Sequence, residues 1–198
     1  MTELRIESCR GRVVESVHRV SAAVCDASGR LIASSGDPHW VTHLRSAAKP
    51  FQALPLIEDG VARRFSITSE ELALACASHN SEKRQVELVR AFAERIGCTE
   101  DDLACRAHRR LTRDLTVPRT DGYDPTTEDP VTGSRYASSC SGKHVGMLAL
   151  AKHHGWDTAG YHERGHPVQD RVKRALVEYT GLAASEIGEG VDGCGVVA

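Results

Sequence analysis

Ser46 and Lys49 stand three residues apart in Arg45-Ser46-Ala47-Ala48-Lys49-Pro50-Phe51-Gln52-Ala53-Leu54-Pro55, a stretch whose alanines and proline predict the first turn of a helix. Residues at i and i+3 of a helix share a face, which puts the lysine amine within reach of the serine hydroxyl. A serine is a poor nucleophile until a base takes its proton, and a desolvated lysine is one such base. The flanking alanines leave room for a substrate. The same residues also read as a cap serine beside a solvated lysine, because Ser-x-x-Lys alone is a common pattern. Ser78 opens Ser78-His79-Asn80 at a predicted helix end. It has the Ser-x-Asn form in which a second serine relays protons to a leaving group, or it is an ordinary cap. The Lys-Thr-Gly element that accompanies such pairs in penicillin-recognising enzymes is absent from the sequence. A second group comprises Cys140, Lys143, His144 and Cys194. Cys140 and Lys143 are one turn apart, and Cys194 lies in a glycine-flanked loop. Thiolates bind zinc well, but the usual zinc spacings are missing, so buried thiols and an exposed lysine are the plain alternative.

Composition sets the frame. The 198 residues carry 40% hydrophobic and 26% charged side chains, as in an ordinary globular protein. A formal net charge of −2 gives no reason to expect nucleic acid or an anionic membrane as partner. The polar start Met1-Thr2-Glu3-Leu4-Arg5 has no secretory apolar region, and no stretch is long enough to span a membrane. Seven cysteines, an odd number without a Cys-x-x-Cys pair, fit a reducing cytoplasm.

Strands come first, over 4–35. Ile6, Val13, Val14 and Val17 flank an Arg10-Gly11 turn, and Val20–Cys25 joins Arg30–Ser34 through Asp26-Ala27-Ser28-Gly29. His39 and Trp40 follow in a turn, with the tryptophan expected to pack. Helical patterns fill 44–182. The Ser46 helix is expected to reach about Asp59 and stop at Gly60. Thr68-Ser69-Glu70-Glu71 is a capping box, and Ser81-Glu82 opens a helix burying Val86, Val89, Phe92 and Ile96. Val145–Ala151 is a core helix, and His166-Pro167 starts one that buries Val168, Val172, Leu176 and Tyr179. Residues 106–135 lack apolar periodicity and predict a long functional or mobile loop, with His108-Arg109-Arg110 solvated. A glycine-rich loop over 188–195 closes the chain.

Taken together, RSAAKPFQALP, ELALACASHN, SSCSGKHVGMLALA, HPVQ and DGCG resemble the asparaginase II family, the rhizobial type of L-asparaginase, in order from about Glu15 to Gly195. The resemblance implies an α+β fold similar to the serine β-lactamases and penicillin-binding proteins, an antiparallel sheet with helices, in one partial domain over 1–198. It implies Ser46 as nucleophile, Lys49 as general base and Ser78 as proton relay, with Arg45, His79 and Asp192 shaping the substrate site. Zinc would be held by Cys140, Lys143 and Cys194. The reaction implied is hydrolysis of L-asparagine to aspartate and ammonia through a serine acyl-enzyme, in a cytoplasmic protein expected to be a homodimer. Asn80-Ser81 departs from the family's Ser-Gly after Ser-His, and Cys105-Arg106-Ala107-His108-Arg109-Arg110 lacks a Gly/Pro turn. The family also continues past its Asp-Gly-Cys-Gly loop with strands and a further lysine. The expectation is therefore a C-terminally truncated chain, low in solubility or in need of a partner. Two other readings follow: an inactive remnant of the family, and a Ser-x-x-Lys acyltransferase or β-lactamase-like serine enzyme.

Overall fold

The computed structural model describes residues 4–107 and 133–197, so most of the 106–135 stretch, including His108-Arg109-Arg110, lies outside the described residues. The architecture is α+β, in two compact units that divide at His43 and Leu44.

In the first unit, β1 (Leu4–Arg10) and β2 (Val13–Val20) form an antiparallel hairpin, in register from Leu4 opposite Val20 to Ser8 opposite Ser16. The register slips between Ser8 and Cys9, and Gly11 turns the chain at a φ of 63°. A second hairpin pairs β3 (Ala22–Cys25) with β4 (Leu31–Ser35). Its turn is set by the Asp26 carboxylate, which accepts from the backbone N–H groups of Ser28 and Arg30 at 2.9 and 3.0 Å. Both hairpins expected from the β-branched runs are present, each as a two-stranded sheet. Trp40, expected to pack, is 64% exposed.

The second unit is helical. α1 (Lys49–Glu58) is preceded by a 3₁₀ turn over Arg45–Ala48. After it come the short α2 (Val61–Arg64), then α3 (Ser69–Cys76), α4 (Lys83–Arg95), α5 (Ser141–His154) and α6 (Pro167–Thr180). α5 is the hub. Every residue from Ser141 to Ala151 is buried, the polar first turn as well as the apolar run from Val145, and the helix packs against α1, α3, α4 and α6. Leu56, Ala75, Val89, Phe92, Leu148 and Val168 meet in one core around it. At Gly142 the first turn of α5 rides on the end of α3, where a β-carbon would stand 2.3 Å from the Leu74 carbonyl oxygen. Only glycine permits that approach.

The Thr68 capping box forms as expected. Its Glu71, 2% exposed, also accepts from both terminal nitrogens of Arg95 at 2.8 and 2.6 Å. Burial raises the Glu71 carboxyl, but the Arg95 bonds outweigh it and hold the group below its usual range. A second lattice of charge ties α1 to α6: Arg171 donates to Asp59 and Glu58, and His154 lies 2.9 Å from Asp59. Two sequence expectations change. α4 begins at Lys83 rather than at Ser81, because Ser81 has a φ of 62°, outside the helical region. Tyr179, placed in the buried stripe of α6, is 53% exposed and donates its hydroxyl to Glu58 at 2.6 Å. Leu176 is only half-buried, and Ala175 is buried in the stripe with Val168 and Val172.

Candidate active site

The 3₁₀ turn before α1 brings Ser46 to the surface and turns Lys49 inward, 2% exposed. The lysine amine donates to the Ala77 carbonyl oxygen at 3.0 Å and to Ser78 Oγ at 2.6 Å, where α3 ends. Ser78 Oγ in turn lies 2.9 Å from Ser46 Oγ. The three expected catalytic residues therefore form a chain in the order Ser46, Ser78, Lys49. The Lys49 backbone N–H donates to the Ser46 carbonyl oxygen, but among the described residues no hydrogen bond joins the Ser46 hydroxyl directly to the Lys49 amine. The spacing that puts them on one helical face leaves a gap that Ser78, from another element, fills. Arg45, immediately before Ser46, is exposed and has a φ of 52°. For a residue with a side chain that conformation costs about 1–2 kcal/mol, and such strain gathers at functional sites.

The loop between α3 and α4 is pinned from behind. His79 is 3% exposed, and both ring nitrogens are engaged within the protein. Nδ1 accepts from the Ser81 backbone N–H at 3.1 Å, so the ring proton sits on Nε2, which donates to Ser141 Oγ at 2.8 Å. Burial, and then the charge of Lys49, push His79 down to about 4, leaving the ring neutral. Ser81, fully buried, donates its hydroxyl to the Ala137 carbonyl oxygen at 2.5 Å. Ser81 and Ser141 carry this arrangement; the sequence pattern gives Ser81 only as a helix opening and gives Ser141 no role. Only the run of small polar residues ahead of the apolar α5 pattern hinted at Ser141.

The second group also assembles. Cys194 hydrogen-bonds the Cys140 sulfur, which lowers the Cys140 thiol against the opposing effect of burial, with the charges of Lys49 and Lys143 adding to it. Cys194, as the donor, is pushed up first by the same bond. All seven cysteines are free. Lys143, 4% exposed, is bonded to Asp192 Oδ2. The other Asp192 oxygen accepts from the backbone N–H groups of Cys194 and Val196 at 2.8 and 3.0 Å, shaping the glycine-rich loop. Both oxygens of this expected substrate residue are thus in use within the chain. Burial alone would raise the Asp192 carboxyl; the Lys143 bond and charge bring it below its usual value. His144, grouped with these residues in the sequence, accepts instead from the Tyr161 hydroxyl at 2.5 Å, since Tyr161 itself accepts from the Ala104 N–H.

As a site for zinc, two neighbouring thiols, one favoured as thiolate, are the donors such an ion takes. Lys143 fits only after surrendering Asp192 and a proton. Among the described residues no three His, Cys, Asp or Glu side chains converge on a metal position. No helix among them is long and apolar enough to cross a membrane. The surface hollows along α6, lined by residues such as Asp170, Lys173 and Val177, include none of Ser46, Lys49 and Ser78.

No curated protein matches the sequence. The sequence model of the L-asparaginase II family, in contrast, matches residues 6–198, a span that holds both side-chain groups and nearly the whole chain. The chain belongs to the L-asparaginase II family.

Proposed function

We propose that this chain is an amidohydrolase that converts L-asparagine to aspartate and ammonia through an acyl-enzyme on Ser46. The observation that carries the reading is the Ser46–Ser78–Lys49 chain, with bonds of 2.9 and 2.6 Å, beside a strained Arg45. Family membership supports the substrate class. The serine β-lactamase-like fold belongs to the same reading, as does a cytoplasmic setting, which the free cysteines support.

With Lys49 neutral, its lone pair accepts from the Ser78 O–H while an N–H remains on the Ala77 carbonyl. Ser78 accepts from the Ser46 O–H. Attack of Ser46 Oγ on the side-chain amide carbon then passes the serine proton to Ser78 and the Ser78 proton to Lys49. Backbone N–H groups around Ser46 hold the oxyanion. As the tetrahedral intermediate collapses, the C–N bond breaks and Lys49 returns its proton through Ser78 to the leaving nitrogen. Ammonia departs. Water, deprotonated along the same path, cleaves the ester, releasing aspartate and restoring Ser46. Arg45, exposed beside Ser46, would meet the substrate α-carboxylate. Cys140, Cys194 and Lys143 are the residues that would hold zinc. When bound, the ion would supply a Lewis acid for the substrate's α-groups and fasten the glycine-rich loop to α5.

The deciding experiment measures ammonia release from L-asparagine by the purified chain and by Ser46→Ala, with mass spectrometry for a trapped aspartyl ester. We expect hydrolysis in the first and at least a thousandfold less in the second. Turnover that survives Ser46→Ala removes the serine mechanism, and a folded wild-type chain with no turnover removes the activity.

A further inference from the structure

Ser78 has to stand between a surface hydroxyl and a buried amine, yet it lies in an exposed loop between two helices. Loops of this kind wander unless something fixes them. The next residues supply the fixing. The His79 backbone N–H donates to the Ser139 carbonyl oxygen at 3.2 Å, and its side chain bonds Ser141 at 2.8 Å. Ser141 passes its own proton to the Tyr136 carbonyl oxygen at 2.9 Å, so its hydroxyl has one sense only: it accepts from His79 and donates to Tyr136. Ser81 adds the bond to Ala137 and, through its backbone N–H, the contact that keeps the proton of the His79 ring on Nε2. Three hydrogen bonds thus run from His79 and Ser81 to residues 137–141. Ser81 accepts a left-handed backbone to make its two, a strain that persists only where the surroundings over-determine it.

We infer that His79 is a positioning residue: its neutral Nε2–H tautomer, clamped to Ser141, fixes the loop that holds the Ser78 hydroxyl between Ser46 and Lys49. This rests on the acyl-enzyme reading above and gives His79 a role other than substrate contact. Since the clamp acts on proton transfer and not on the substrate, its loss should lower kcat and leave KM alone.

The test compares wild type, Ser141→Ala, His79→Leu and His79→Gln by asparagine hydrolysis, each normalised to the folded fraction in a thermal melt. Ser141→Ala and His79→Leu are expected to lose about tenfold or more in kcat, with KM within about twofold, because small misplacements of reacting groups carry penalties of this size. His79→Gln keeps an N–H near Nε2 and should recover most of the loss. Unchanged kcat in folded Ser141→Ala overturns the inference, as does a rise in KM with kcat intact. A nitrogen-15 spectrum of the histidine rings reads the clamp without activity. An Nε2–H tautomer that disappears or shifts in Ser141→Ala supports the inference, and an Nδ1–H tautomer in the wild type overturns it. The acyl-enzyme reading fails separately, by Ser46→Ala remaining active or by a folded wild type releasing no ammonia.

Discussion

Two lysines are buried in the helical unit, Lys49 at 2% exposure and Lys143 at 4%, and they are held in opposite ways. Lys49 faces a hydroxyl and a carbonyl. Lys143 faces the carboxylate of Asp192. A lysine among neutral oxygens can trade a proton with a hydroxyl, since either partner can be the donor. One paired with a carboxylate ties the glycine-rich loop to α5. Burial alone says nothing about which kind a lysine is; the partners decide.

The largest effect expected from this contrast is on Lys49→Met. Turnover should fall about a thousandfold, while the melting temperature stays within a few degrees, because methionine fills similar space and leaves no charge unpaired. Steady-state kinetics and a calorimetric melt check both halves. Lys143→Met should show in the melt as well. Stripping the cation from Asp192, whose side chain is 27% exposed, should destabilise the fold by about 2 kcal/mol, less than the full figure for a buried pair. Adding Asp192→Asn should restore part of that stability, and a double-mutant cycle measures the coupling. Equal melts for the two single lysine variants would erase the distinction.

The smallest effect is on acid stability. His79 titrates near 6.5 when unfolded and at about 4 when folded, so between those values the unfolded chain binds more protons. Its contribution is fully present above 6.5 and declines as pH falls toward 4, on the order of 1 kcal/mol per pH unit. Melts at pH 7 and 5 should show the decline in wild type and a shallower one in His79→Gln.

Local chemistry was legible in the sequence and convergence was not. The Thr68 capping box and the Asp26 turn are made by side chains bonding backbone a few residues away, so spacing reveals them. The all-apolar run of α5 announces its own burial. Resemblance supplied the members of both side-chain groups, but no spacing predicts that Ser78 lies between Ser46 and Lys49. That contact spans 32 residues, and the His79–Ser141 bond spans 62. Ser81 misled because a serine before a glutamate reads as a cap, while a left-handed backbone at a non-glycine residue leaves no mark in sequence. Tyr179 departs from the expectation because periodicity names the face of a helix, while the tyrosine hydroxyl near its end finds a carboxylate at the surface.

Gly142 has a consequence for how such a protein can vary. With no β-carbon there, α3 and α5 touch main chain to main chain, so the gap between the Ser78 loop and the start of α5 has a width written in atoms common to every residue. Apolar side chains elsewhere in α5 can be exchanged for others of like volume without resetting that width. The mouth of the site can drift around Arg45 while its floor keeps its gauge, and a single methyl group at position 142 is enough to lift both the hydroxyl relay and the paired sulfurs out of alignment.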